Sequence, residues 1–328
     1  MLLANAFTAA RERAAVIDRS DRGYIVVSGA DRASYLQGLL TNDIAALGPG
    51  TGCYAAYLTP QGRMITDLFV FELGDAILLN MPRSRKETVL AKLDQFIFSE
   101  DVQLVDATDL FAAVGVIGPE AGRILTGILA GDLTDIESWP AHANRRVQFQ
   151  DHAAILARSA DAGEPGYDVY IERGWSGAVR QALESAGAVE ADAETAAVIR
   201  IEAGIPKFNE DMGEETIPLE AGIEGRAISF SKGCYVGQEV IIRVLHRGHG
   251  RVAKKLVGMS IDGPAVPAPG TSVTTDAREI GHVTSSAFSP ALRRPIALGY
   301  LHRDFLSAGT TVTVGGQTAT VTELPFVK

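Results

Sequence analysis

The chain has 328 residues, more than the roughly 250–300 at which a single core usually divides, so two or three domains are expected. With 46% hydrophobic and 21% charged residues it is no disordered tail, and a net charge of −10 argues against a protein that coats nucleic acid. Two distant cysteines, Cys53 and Cys234, make neither a disulfide framework nor a complete zinc site; together with Arg11, Glu12 and Arg13 breaking any signal core and the absence of a run of about 20 apolar residues, they point to a soluble protein of the reducing cytoplasm.

The first structured unit opens on YIVVSG at Tyr24, a β-rich run ended by Gly29. In DRASYLQGLLTNDI, Tyr35, Leu36, Leu39 and Leu40 recur at helical spacing, with Asp31 as the cap. YAAYLTPQGRMITDLFVFEL and DAILLNM are apolar, β-branched runs split by turn residues, which predicts successive antiparallel strands. SRKETVLAKLDQFIF predicts a helix from Ser84, its N-cap, to Phe98. A strand at Val102–Val105 and another in LFAAVGVIG lead to a helix that starts at Pro119 and runs to Leu129. The glycines of that stretch, Gly115, Gly118 and Gly122, lack dinucleotide-binding spacing and read as close strand-to-helix packing. Strands follow near Arg146, Ala153 and Tyr167, with helices over 174–185 and 193–203, and hairpins among them argue for an α+β fold. From Val252 onward, short strands separated by glycines and prolines carry the signature of a small β-barrel or sandwich.

The stretch SFSKGCYVGQE, Ser229 to Glu239, places Cys234 between Gly233 and Gly237, beside Lys232 and Tyr235. A thiol reacts or binds metal as thiolate, and its ordinary pKa of about 8.5 leaves little of that form at neutral pH. The Lys232 charge, the approach of backbone amides at the glycines and a helix opening at Gln238 would all favour it. The competing role is a small apolar residue filling a turn. Basic residues (Arg243, His246, Arg247, His249, Arg251, Lys254, Lys255) follow the stretch and acidic ones (Glu210, Asp211, Glu214, Glu215, Glu220, Glu224) precede it, a segregation that could attract an anionic ligand or form a solvated face.

KGCYVGQE resembles the signature of the YgfZ-type folate-binding proteins, which share a superfamily with the T-protein (aminomethyltransferase) of the glycine cleavage system. SGADRASYLQGLLTNDI, GCYAAYLTPQGRMITDL, GYDVYI, RIEAGIPKFNEDM and EIGHVTSSAFSPALRRPIALGYL resemble that superfamily's segments in order along nearly the whole chain. The resemblance implies an α+β, three-lobed ring with a central pocket for tetrahydrofolate or a one-carbon derivative of it. The lobes would be residues 1–110, 111–250 and, as a small β-barrel, 251–328. It places Asp67 at the catalytic carboxylate near the reactive folate nitrogens, Tyr54 at a folate-packing tyrosine and Asp168 at the glutamate that holds the pterin. The folate-binding arginine of T-proteins falls on Ala196, with Arg200 one helical turn on as a partial replacement. A pterin needs carboxylates at its amide edge and aromatic cover on its faces, which Asp67, Asp168, Tyr54, Phe71 and Phe208 would supply. Taken singly, each carboxylate is as well a surface or capping group, and each aromatic a core residue.

Three functions follow. A YgfZ-like protein would assist the assembly or repair of iron–sulfur proteins, its clients, with Cys234 as its thiol and an indirect effect on tRNA modification. An aminomethyltransferase would release ammonia and pass a one-carbon unit to tetrahydrofolate; Asp67 favours it, while Ala196, Asp168 and the cysteine motif disfavour it. The basic run RVLHRGHGRVAKK lacks interleaved aromatics and is a poor nucleic-acid module. Cys234 with His246 and His249 lacks a fourth ligand, so no metal site is assigned.

Overall fold

The computed structural model describes residues 2–159, 161–246, 250–276 and 278–327, and their contacts divide into two units. The first unit holds the chain up to Thr59, Ile65–Thr195 and Arg226–Val236; the second holds Pro60–Met64, Ala196–Gly225 and Gly237 onward.

Within the first unit, helices and sheets stack in four layers. The five-stranded sheet runs in the order Gly52–Leu58, Met64–Glu72, Ala76–Pro82, Arg22–Ser28, Gln103–Asp106. The seven-stranded sheet runs Val189–Ala191, Ala15–Asp18, Phe111–Ile117, Gly166–Glu172, His152–Ser159, Asn144–Phe149, Leu129–Ala130. Of its pairings, Ala15–Asp18 on Val189–Ala191 is parallel and the others are antiparallel.

Because side chains alternate across a strand, each sheet sorts its residues onto two faces. Ile25, Val27, Leu68, Val70, Leu79 and Met81 face a core shared with the helices Arg32–Gln37 and Lys86–Asp94. Val114, Val116, Val169 and Ile171 face the helices Ala121–Ile128 and Ser176–Ser185. The intervening residues of both sheets, Tyr24, Phe71, Leu78, Ala113, Ala157 and Tyr170, form a third cluster between the sheets. Strand Met64–Glu72 is therefore buried on both faces, Phe69 alone being partly exposed.

In the second unit, Lys254–Ile261, Arg294–His302, Arg278–Ser289, Ser272–Thr275, Thr311–Val314 and Gln317–Thr322 close into a six-stranded barrel. Its interior is filled by Val257, Met259, Ile261, Val273, Val283, Leu301, Val312, Val314 and Val321. Closure removes the exposed edges that short strands would otherwise present. The α+β class and the C-terminal barrel both follow the sequence-based expectation.

Some local expectations fail for identifiable reasons. Ser84 is not an N-cap: it lies in a 3-10 turn, Arg83–Arg85, ahead of the helix Lys86–Asp94, whose cap position is Arg85. That helix stops short of Phe98 because the Glu100 carboxylate accepts the amides of Phe98 and Ser99 and folds the chain away, leaving Phe98 83% exposed. Asp31 precedes its helix but caps no helical amide; its carboxylate accepts the Asp101 N–H instead. Among the described residues, no helix is long and apolar enough to cross a membrane.

Candidate functional site between two sheets

The layer between the sheets of the first unit is where most of the expected ligand residues meet. Tyr54, Asp67, Phe69 and Phe71 come from the five-stranded sheet, Asp168 and Tyr170 from the seven-stranded one. The rings form a chain: Tyr54 lies 5.2 Å from Phe69, Phe69 lies 6.5 Å from Phe71, and Phe71 lies 5.8 Å from Tyr170. Tyr24 meets Tyr170 edge-on at 5.7 Å. Arg22 lies over Phe69 at 5.3 Å, donates to Asn80 Oδ1 at 2.6 Å, and Asn80 in turn donates to the Tyr170 hydroxyl at 2.6 Å.

Buried charge in such a layer needs partners. Asp168, 6% exposed, accepts from Arg19 Nε at 2.8 Å on one oxygen. The same guanidinium holds both oxygens of Asp161, at 2.7 and 3.0 Å, and reaches Ser159 Oγ. One cation thus serves two carboxylates, which pushes their proton affinities apart. Burial alone would raise Asp161, but Arg19 holds it well below the usual carboxylate range. At Asp168 burial prevails over Arg19, and its pKa is raised. Gly115, on the neighbouring strand, makes room: a Cβ there would lie 3.0 Å from the Asp168 oxygen and 2.5 Å from Ile17.

Asp67 is provided for differently. It is 7% exposed, and the Tyr54 hydroxyl donates to its Oδ2 at 2.8 Å. Its Oδ1 is buried with no hydrogen-bond partner. Burial pushes the Asp67 pKa up, against the pull of Arg22 and Tyr54. On the far side of the Tyr54 ring, Arg226 sits 5.2 Å from the centroid. A buried acceptor left empty beside aromatic faces can receive an N–H of a flat, polar-edged ligand.

The cysteine motif has a different structural logic from the one expected. Lys232 Nζ donates to three backbone carbonyls, Gln37 at 2.6 Å, Leu40 at 2.7 Å and Asn42 at 2.8 Å. These lie at and beyond the C-terminus of helix Arg32–Gln37, where carbonyls lack helical partners. Burial pushes Lys232 down to about 8 against the pull of Asp43, so the ammonium is charged at neutral pH. Its charge acts on Asp43 and on Cys53, whose thiol burial pushes up to about 12. Lys232 thus staples the preceding chain. Tyr235 is buried, with Lys232 5.3 Å from its ring, whereas Gly233 and Cys234 are exposed. Gly237 adopts φ 85° and, with Gln238 and Glu239 at the start of helix Gln238–His246, belongs to the second unit.

Arg200 and Phe208 also belong to the second unit. The Arg200 guanidinium is engaged by Asp211 at 2.7 Å, by Glu210 and by Ser285 Oγ at 2.8 Å. Phe208 is buried and bridges to Met212. Of the charged run after the motif, Lys255 pairs with Glu224 and Lys254 lies over Tyr300, both within the second unit; Arg247 and His249 lie outside the described residues. Among the described residues, no group of three or more His, Cys, Asp or Glu side chains is placed to hold a metal ion.

Comparison with known proteins gives the family and the fold. The GCVT N-terminal domain family matches residues 2–232, and the glycine cleavage T-protein C-terminal barrel domain matches residues 254–328. The chain belongs to the glycine cleavage T-protein family. Among the relatives of this T-protein family member is an aminomethyltransferase of Rubrobacter xylanophilus, 32% identical over 293 residues, covering 89% of this chain and 77% of the relative. One from Streptomyces coelicolor is 30% identical over 98% of this chain and 88% of its own length. In fold, the chain is similar to the glycine cleavage aminomethyltransferase T of Bartonella henselae, with a TM-score of 0.88 at 22% identity over 99% of this chain and 89% of that one.

Arg19, Arg22 and Asp161 also lie in this layer but carry no sequence signal of their own. Arg19 and Asp168 are 149 residues apart; Arg19 follows strand Ala15–Asp18, which pairs with Phe111–Ile117, and that strand pairs in turn with Gly166–Glu172, which carries Asp168.

Proposed function

We propose that this T-protein family member binds tetrahydrofolate between the two sheets of its first unit and handles a one-carbon unit there in the manner of an aminomethyltransferase. The observation that carries this reading is the empty, buried Oδ1 of Asp67, set beside Tyr54 and Phe69. Tetrahydrofolate, when bound, supplies the nitrogens that accept one-carbon units. Asp67 would receive an N–H of the ligand and stabilise positive charge near it; Tyr54 fixes the carboxylate through its hydroxyl and offers a ring face. Asp168 gives one oxygen to Arg19, and its other oxygen would receive the pterin edge. The relatives named aminomethyltransferase favour this reading over others of the superfamily.

The test is to supply tetrahydrofolate and an aminomethylated lipoyl carrier and to follow ammonia and methylenetetrahydrofolate. Turnover in the wild type that falls at least about tenfold in Asp67→Asn, the loss of one charge-assisted hydrogen bond, supports the reading. Absence of tetrahydrofolate binding by the wild type overturns it.

A second reading is favoured by a single observation, the exposure of Cys234 within KGCYVGQE. In a YgfZ-type protein this thiol would serve iron–sulfur client proteins, as soft thiolate suits such centres. One cysteine cannot hold a cluster, so a partner would supply the other ligands. Binding of tetrahydrofolate without ammonia release would move the assignment to this reading.

A further inference from the structure

His142 sits in the same layer and has no role in the proposed chemistry. Its ring lies 5.4 Å from that of Phe69, and Phe69 lies 5.2 Å from Tyr54, the hydrogen-bond partner of Asp67. Its Nδ1 is buried without a hydrogen-bond partner, as is Oδ1 of Asp67. The backbone of His142 is left-handed, φ 65°, a conformation a β-carbon-bearing residue rarely adopts, and the amide is pinned to the Arg158 carbonyl at 3.1 Å. Backbone held in such a region, with a polar atom left empty, is the pattern of a residue fixed for contact with a ligand.

We propose that His142 is a ligand-binding residue, hydrogen-bonding through Nδ1 to a polar group of a pterin ring bound beside Phe69. This rests on the tetrahydrofolate reading of the site. Two unpartnered polar atoms near one aromatic ring orient a flat ligand better than either alone, because each restricts rotation about the other. Burial pushes His142 down to about 4, so the imidazole is neutral at physiological pH and can either donate or accept at Nδ1. A neutral group adds a hydrogen bond without bringing a further charge into a layer that already holds Arg19, Arg22, Asp67, Asp161 and Asp168.

The experiment is tetrahydrofolate binding by calorimetry to the whole chain, in the wild type, His142→Phe and His142→Asn. Phe keeps the ring against Phe69 and removes both nitrogens; Asn tolerates left-handed backbone and returns an amide near the Nδ1 position. Affinity is expected to fall about tenfold in His142→Phe, one neutral hydrogen bond, and to recover in part in His142→Asn. Melting temperatures measured alongside separate lost binding from lost folding. Nitrogen-15 shifts of the His142 ring should move when the ligand is added to the wild type. Equal affinity of the wild type and a folded His142→Phe overturns this role while leaving the folate reading intact. A wild type that binds no tetrahydrofolate removes the folate reading itself.

Discussion

A carboxylate whose pKa is raised by folding binds its proton more tightly in the native state. Its contribution to stability is then greatest below the ordinary carboxylate range and is lost as pH rises through the native pKa. Asp67 is such a group, raised by burial. Asp67→Asn should therefore stabilise the ligand-free protein at pH 7 by about 1 kcal/mol, the difference between an empty charged and an empty neutral polar atom, and so raise its melting temperature. The gain should shrink as pH falls toward 4, and the same variant should bind tetrahydrofolate more weakly. A lower melting temperature at pH 7 would mean that the charge is compensated in the unliganded site. His142 works with the opposite linkage, because its native pKa of about 4 lies below the ordinary 6.5. Between those values the unfolded chain holds a proton that the native state refuses, so stability falls as pH drops, and His142→Phe should flatten that slope. At this scale the sequence was informative for Tyr54, Asp67 and Asp168, through resemblance. It was silent on Arg19, Asp161 and His142, which lie in loops beside the strands and meet the layer only through the fold.

At the scale of elements, the motif lysine shows how a chemically suggestive residue can be structural. Lys232 ties the end of helix Arg32–Gln37 and the chain after it to the returning segment Arg226–Val236, nearly 200 residues later in sequence. Thr41 and Asn42 reinforce this, through bonds to the Ala227 and Arg226 carbonyls at 2.6 and 3.1 Å. Lys232→Met keeps the aliphatic stem but leaves three carbonyls without their donor. It should destabilise the protein by about 2 kcal/mol, or roughly 4–8 °C for a domain of this size. An unchanged melting temperature would show that water replaces the ammonium. Elements with alternating or continuous apolar runs, such as Met64–Glu72 and the barrel strands, were legible because periodicity states the burial of each face. Helix ends were less so. At Ser84 and Asp31 a suitable capping residue was present, but the 3-10 turn and the Asp101 amide took it up.

For the whole molecule, the question is which chemistry selection has kept, and two side chains of the first unit answer it independently. Asp67 is buried and hydrogen-bonded to Tyr54; Cys234 is exposed, in a motif whose neighbours Lys232 and Tyr235 are anchored. Because an exposed side chain contributes little to packing, Cys234→Ala should melt within about 0.5 kcal/mol of wild type and bind tetrahydrofolate equally well. Any phenotype it has is then chemical. In a strain lacking the protein, aminomethyl transfer at Asp67 predicts that glycine cleavage falls, that Cys234→Ala restores it and that Asp67→Asn does not. A thiol that serves iron–sulfur proteins predicts the reverse pattern in the activities of those enzymes. Cys234→Ala then fails, because the sulfur that would contact a client centre is gone, while folate binding is unchanged. If both variants fail in the same assay, the carboxylate and the thiol belong to one process, with the folate-bound state as the form in which Cys234 acts.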